Sequence, residues 1–186
     1  MKKLLISLIL LISITSYSQE SKYSIELNFP IQTGDTFINN NYSGVIDIGF
    51  RARFVKTSHL NFGFHLNGSV FTYKGIVIES SFKTLYVIQP KIYAELNTLK
   101  KIRPLVGIGY TLMTYRKSGD VDDGPNISVG ISYDFTGKFF AQVQYDLIEG
   151  TSEFESKPYN NYRPFVPSQT LDSDSAVLKM GLGYRL

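Results

Sequence analysis

The chain has 186 residues, 43% apolar and 14% aromatic, with 19 basic and 16 acidic side chains, no Cys and no Trp. This is one domain's worth of material, too apolar for intrinsic disorder, and without thiols it has neither a disulfide framework nor a thiolate metal site. Discounting Lys2 and Lys3, which sit in a removable leader, leaves 17 basic against 16 acidic groups, a net of +1 that offers nucleic acid no clustered basic surface.

Residues 1–18 read as an export signal: Lys2 and Lys3, a mostly apolar run from Leu4 to Ile14, then Ser16 and Ser18 flanking Tyr17. The run is shorter than the roughly 20 residues a helix needs to cross hydrocarbon. Cleavage after Ser18 leaves a single domain, 19–186. No Cys near the cut can carry lipid, so any membrane association belongs to the mature fold.

Beyond residue 20 the apolar period is two, not 3.6, which predicts strands. The first sets Tyr23, Ile25, Leu27, Phe29 and Ile31 against Ser24, Glu26 and Asn28. The second sets Ile46, Ile48, Phe50, Ala52 and Phe54 against Val45, Asp47, Gly49, Arg51 and Arg53. In the third, Leu60, Phe62, Phe64, Leu66 and Val70 oppose Asn61, Gly63, His65, Asn67 and Ser69. The fourth, over 82–96, opposes Tyr86, Ile88, Ile92, Ala94 and Leu96 to Gln89, Lys91, Tyr93 and Glu95, although Leu85 and Val87 break its upper half. The fifth carries Val106, Ile108, Tyr110 and Leu112 opposite Arg103, Gly107 and Gly109. The sixth carries Ile127, Val129, Ile131, Tyr133 and Phe135 opposite Ser128, Gly130, Ser132 and Asp134. Phe139, Ala141, Val143, Tyr145 and Leu147 against Gln142, Gln144 and Asp146 make the seventh. Leu178, Met180, Leu182, Tyr184 and Leu186 against Lys179, Gly181, Gly183 and Arg185 make the eighth. Every Asp, Glu, Lys and Arg within these runs lies on the polar parity, although the frames were set by apolar residues alone.

Three features direct the apolar parity toward lipid. Connections of about 10, 5, 8, 6, 11, 3 and 25 residues alternate long and short, as in barrels inserted from one side with short periplasmic turns and long outer loops. Tyr23, Phe54, Phe62, Tyr133, Phe135, Phe139 and Tyr184 gather near the short-turn end as one aromatic girdle, while Tyr42, Phe82 and Tyr86 mark the other. Lys179, Gly181, Tyr184 and Leu186 in the final strand have a spacing that resembles the signal read by the outer-membrane barrel assembly machinery.

Over its mature length the sequence resembles the small eight-stranded outer-membrane barrels of the OmpA and OmpX type, without a separate periplasmic domain. The stretch from Arg103 to Tyr110 is similar to a strand opening common in that superfamily. The resemblance implies an all-β, eight-stranded antiparallel up-and-down transmembrane barrel in the outer membrane of a Gram-negative cell. Its partners would be membrane lipid and the assembly machinery.

An eight-stranded barrel is filled by its own side chains. By approximate height, Glu26 is expected to meet Arg51 or Arg53, and Glu95 to meet Arg103. His65 faces inward as a packed polar residue and His59 lies in a short turn. The long connections contain no His, which argues against a lipid-modifying outer-membrane enzyme. Asp120, Asp122, Asp123 and Gly124 lack the spacing of an EF-hand and read as a solvated acidic turn, so neither metal nor cofactor is expected. The last long connection carries Phe154, Tyr159, Tyr162, Arg163 and Phe165. Tyr and Arg favour interface hot spots, which suits contact with another protein, a surface polysaccharide or lipid head groups; a loop that binds nothing is the alternative. The expected function is therefore a non-enzymatic integral barrel with a structural or surface-interaction role. The alternatives are the lipid-modifying enzyme and a secreted lipocalin-like carrier with the parity inverted around an apolar ligand.

Overall fold

Alternation of period two is realised as a closed antiparallel ring. The computed structural model describes residues 21–75, 84–97, 99, 101–115, 121–154, 169–172 and 174–186, so the expected leader over 1–18 and Phe82 lie outside the described residues. The elements are β1 (Tyr23–Thr33), α1 (Phe37–Asn41), β2 (Tyr42–Lys56), β3 (Leu60–Tyr73), β4 (Thr84–Leu96), β5 (Ile102–Tyr115), β6 (Val121–Asp134), β7 (Phe139–Ile148), β8 (Thr151–Phe154), β9 (Gln169–Asp172) and β10 (Ser175–Arg185). Strands β1 to β7 pair in sequence order, and β10 pairs with β7 on one side and β1 on the other, closing eight strands. Closure satisfies the backbone donors and acceptors of both would-be edges, which hydrocarbon requires.

The apolar rows face outward. Leu27, Ile48, Ile92 and Leu182 are each more than half exposed, whereas Asp47, Arg51, Lys91 and Lys179 are at most 1% exposed. This corrects the lipocalin-like alternative, which needs the opposite arrangement. At the short-turn end Tyr23, Phe54, Phe62, Tyr133, Phe135 and Phe139 are exposed, and Phe139 packs edge-on against Tyr184 at 4.9 Å between centroids. An amphipathic ring suits the boundary between hydrocarbon and head groups.

Two β-bulges in β2 alter the simple parity. One extra residue in a strand exchanges the faces of everything beyond it. The register shift between Gly44 and Ile46 leaves Val45 and Ile46 both outward and turns Tyr42, expected in the outer girdle, into the lumen at 2% exposure. The shift between Arg53 and Val55 puts Phe54 and Val55 both on the lipid side.

The connections also differ from expectation. The β5–β6 ladder runs from Ile102↔Tyr133 to Thr114↔Val121, so the strands flank only 116–120 and no loop spans 115–125. Asp122, Asp123 and Gly124 therefore belong to a strand and not to a solvated turn, and Asp120 lies outside the described residues. Pro125 is tolerated because it lies one residue past the last β6–β7 pair, and its carbonyl accepts from Glu149 N at 3.0 Å. The first long connection contains α1, and the last contains β8 and β9, which pair with each other and, among the described residues, join the β6 ladder through Asp123↔Thr151.

Inward glycines make room for large neighbours across the ladder. Gly183 faces Phe140 in the β10–β7 register, and a Cβ there would collide with the ring. Gly63 faces Tyr93 in the β3–β4 register, where a Cβ would reach 2.8 Å from Tyr93 Cε1. Small and large residues thus alternate to fill a narrow lumen.

Candidate functional site: the lumen and its two ends

Strands of opposite direction bring their inward polar residues to common heights, and three tiers result. At the short-turn mouth Asp134 accepts from Arg103 Nε at 2.9 Å and from Arg185 Nη2 at 2.6 Å. The Arg185 guanidinium lies over the Phe140 ring, 4.6 Å from its centroid. Above it, Glu95 receives Arg53 Nε and Nη2 at 3.2 Å each, a bidentate pair, with Asn61 Nδ2 at 3.1 Å and Arg103 Nη1 at 3.5 Å. Glu26 Oε1 stands 2.8 Å from Arg51 Nε, a close charge contact whose N–H is poorly aligned for a hydrogen bond, while Oε2 contacts His65 Nε2 at 3.2 Å and Gln142 Nε2 at 2.7 Å. The structure thus brings together Glu26 with Arg51, and Glu95 with both Arg53 and Arg103.

The middle tier was not foreseen. Lys179 Nζ lies 2.9 Å from Asp47 Oδ2 and 3.0 Å from Asp146 Oδ2, and Lys91 Nζ lies 2.8 Å from Asp146 Oδ1. These four residues come from β10, β2, β7 and β4, so they meet across the ring and not along one ladder. Asn28 Nδ2 donates to Asp47 at 2.7 Å and its carbonyl accepts from Gln142 at 2.8 Å, which ties this quartet to the Glu26 tier. Higher still, Lys179 donates to Gln89, and Gln89 and Asn126 both donate to Thr111 Oγ1.

At the long-loop end the lining turns apolar. Ile38, Tyr42, Phe71, Leu85, Val87, Met113, Ile148 and Val177 form one buried cluster, with Tyr73 against it. The helix α1 supplies Ile38, whose backbone N–H donates to Ser175 Oγ at 3.3 Å. Leu85 and Val87, which interrupt the alternation of the fourth strand, are the sequence signal for this layer: inward apolar residues on an otherwise polar row. Pooled burial of these side chains, at roughly 1.5–3 kcal/mol each, is a sizeable stabilising term at the end where the ladders stop.

His65 is 1% exposed inside the lower lumen and His59 is exposed in the β2–β3 turn beside Ser58. Neither approaches the long-loop end. Of the last-loop residues, Phe154 closes β8, while Tyr159, Tyr162, Arg163 and Phe165 lie outside the described residues.

Replacing Glu26 with Ala should lower the temperature at which the compact gel band converts to the unfolded one. Arg51 keeps Gln142 at 2.7 Å and Glu95 at 4.0 Å, so the shift should be smaller than for a carboxylate that serves two buried lysines. An unchanged conversion temperature would remove any stabilising role for the Glu26 contact.

No family model matches the chain, and no curated protein matches it. Solved structures do. Neisserial surface protein A superposes with a TM-score of 0.54 at 12% identity, covering 89% of this chain and 98% of its own. The outer membrane protein OprG from Pseudomonas aeruginosa gives 0.51 at 13%, with coverages of 88% and 95%. Outer Membrane Protein W of E. coli gives 0.51 at 15%, with 91% and 100%. At such identities the likeness is one of fold, and that fold is the small eight-stranded outer-membrane β-barrel.

Proposed function

We propose that the chain is a non-enzymatic integral protein of the outer membrane that acts through its long-loop end, as a structural element or as a surface that meets another protein, a polysaccharide or lipid head groups. The observation that carries this reading is the filled lumen. Ion pairs occupy its lower and middle tiers, an apolar layer lies above them, and buried Arg51, Lys91, Lys179, His65 and Gln144 occupy the space a solute would need. A barrel that conducts nothing must do its work on its outside. The outward apolar rows and aromatic girdle support residence in a bilayer, and export to the outer membrane agrees with the fold and with the leader expected from the sequence. Against catalysis, both His side chains sit away from the outer leaflet, where a lipid-modifying reaction takes place.

Two measurements test the reading. Planar bilayers containing the refolded protein should show no steady conductance, and removal of 154–167 should abolish adhesion to cells or recovery of a surface partner while leaving the heat-shifted gel band intact. Adhesion and partner recovery equal to the intact protein would overturn the role assigned to that loop; steady solute flux would overturn the sealed lumen.

A further inference from the structure

The tiers differ in their charge balance. The middle quartet is even, with Lys91 and Lys179 against Asp47 and Asp146. The lower lumen is not: Arg51, Arg53, Arg103 and Arg185 face only Glu26, Glu95 and Asp134, an excess of one positive charge before any protonation of His65. A buried charge without a counterion is costly, and four guanidinium groups cannot shed theirs by losing a proton.

Arg185 has the fewest carboxylate contacts of the four, one nitrogen on one carboxylate. Arg185 is 4% exposed; its Nη2 is taken by Asp134, its ring-facing side by Phe140, and its Nε and Nη1 have no hydrogen-bond partner. Directly opposite Arg185 in the β10–β1 register stands Ser24, fully buried, whose hydroxyl also has no partner. Inward residues paired in this way have Cβ atoms about 5 Å apart. On the other side of Ser24 the β1–β2 register places Arg51. Ser132, opposite Arg103 in the β5–β6 register, adds a third buried hydroxyl-bearing or cationic group without its full set of partners. Unmatched donors at the level of a surplus positive charge form the chemical complement of a small anion.

The surroundings favour the same sign. The short-turn rim carries Lys22, Lys56, Lys101 and Lys138, and among the described residues of that rim, 21–23, 56–60, 96–97, 99, 101, 135–138 and 184–186, there is no Asp or Glu. Arg103 at the mouth is 12% exposed, which marks the side from which an ion enters. A positive rim around a low-dielectric mouth raises the local concentration of anions.

We propose that the short-turn mouth of the lumen holds a small inorganic anion of halide size, bound by the unpaired Nε–H of Arg185 and by the Ser24 hydroxyl. One monovalent anion neutralises the lower tier and satisfies two buried donors at once. It is a counterion built into the barrel, and its release leaves the arginines to repel one another.

The test uses the whole refolded barrel in zwitterionic detergent, with bromide as the probe. Crystals grown or soaked in bromide should give an anomalous peak within hydrogen-bond distance of Arg185 and Ser24. In solution, the unfolding temperature should rise saturably when gluconate, too large for the mouth, is exchanged for bromide at fixed ionic strength. Ser24→Ala should weaken the half-saturating bromide concentration several-fold, and Arg185→Met should abolish the bromide effect. Should Arg185→Met fail to fold, Ser24→Ala and the anomalous map decide. No peak at the mouth, or an unfolding temperature equally indifferent to bromide in the intact protein, overturns the proposal.

Discussion

Replacing Asp146 with Ala should be the most damaging single loss of a carboxylate in this barrel, at about 3–5 kcal/mol, the range for stranding a partner of a buried ion pair. Asp146 is fully buried and takes Lys91 at 2.8 Å, Lys179 at 3.0 Å and Gln144 Nε2 at 2.7 Å. Once it is gone, Lys179 still has Asp47 at 2.9 Å, but Lys91 loses the carboxylate that faces it. The compensating change follows from the same geometry. Asp146→Leu combined with Lys91→Met keeps the Lys179–Asp47 pair, leaves the tier neutral and should recover most of the loss, because a well-packed apolar substitute for a buried pair is often neutral or stabilising. Urea unfolding in phospholipid vesicles reads both effects. A single variant that unfolds at the parental midpoint would show that the quartet is ornamental; a double variant no better than the single one would show that packing, not charge, is what Asp146 supplies.

The second large effect lies on the other face of the wall. Ile48 is 59% exposed near the middle of β2, in a row with Leu27 and Leu182 across the β2–β1–β10 registers. Ile48→Arg should cost about 2–4 kcal/mol in a bilayer, the depth-dependent penalty for a cation at the midplane of a barrel's lipid face, and Tyr133→Arg near the girdle about 0–1 kcal/mol. The contrast between the two sites matters more than either value. Equal, small costs would mean that these rows face water, and the membrane orientation would fall with them.

The strand rows and their faces were legible because a wall with lipid on one side and a packed polar lumen on the other imposes a strict period of two. Glu26, Arg51, Glu95 and Arg103 were reachable by height because their strands are neighbours or near neighbours. The Lys91–Asp146–Lys179–Asp47 quartet was not, since it spans the ring and depends on closure and stagger that no single strand encodes. Tyr42 was misplaced for a different reason: a β-bulge adds one residue without changing composition, and the error propagates to the end of the strand. Leu85 and Val87 did carry a signal, but an interruption of alternation reads equally as a strand end or as an inward apolar layer until Phe71, Met113 and Val177 are seen at the same level. The acidic stretch at Asp122 and Asp123 looked like a loop because its strand character comes from continuing the β5 ladder and not from its own residues.

The seam between β1 and β10, where Ser24 through Thr33 pair with Arg185 through Ala176, joins the first strand made to the last. Among the described residues it has the greatest sequence separation of any ladder, so its loop-closure entropy is largest, which puts this topology at the slow end of folding rates. Until the seam closes, every partly assembled form carries two unsatisfied margins able to capture another copy. A stop codon inside the last strand would therefore yield an aggregating fragment and not a weakened barrel.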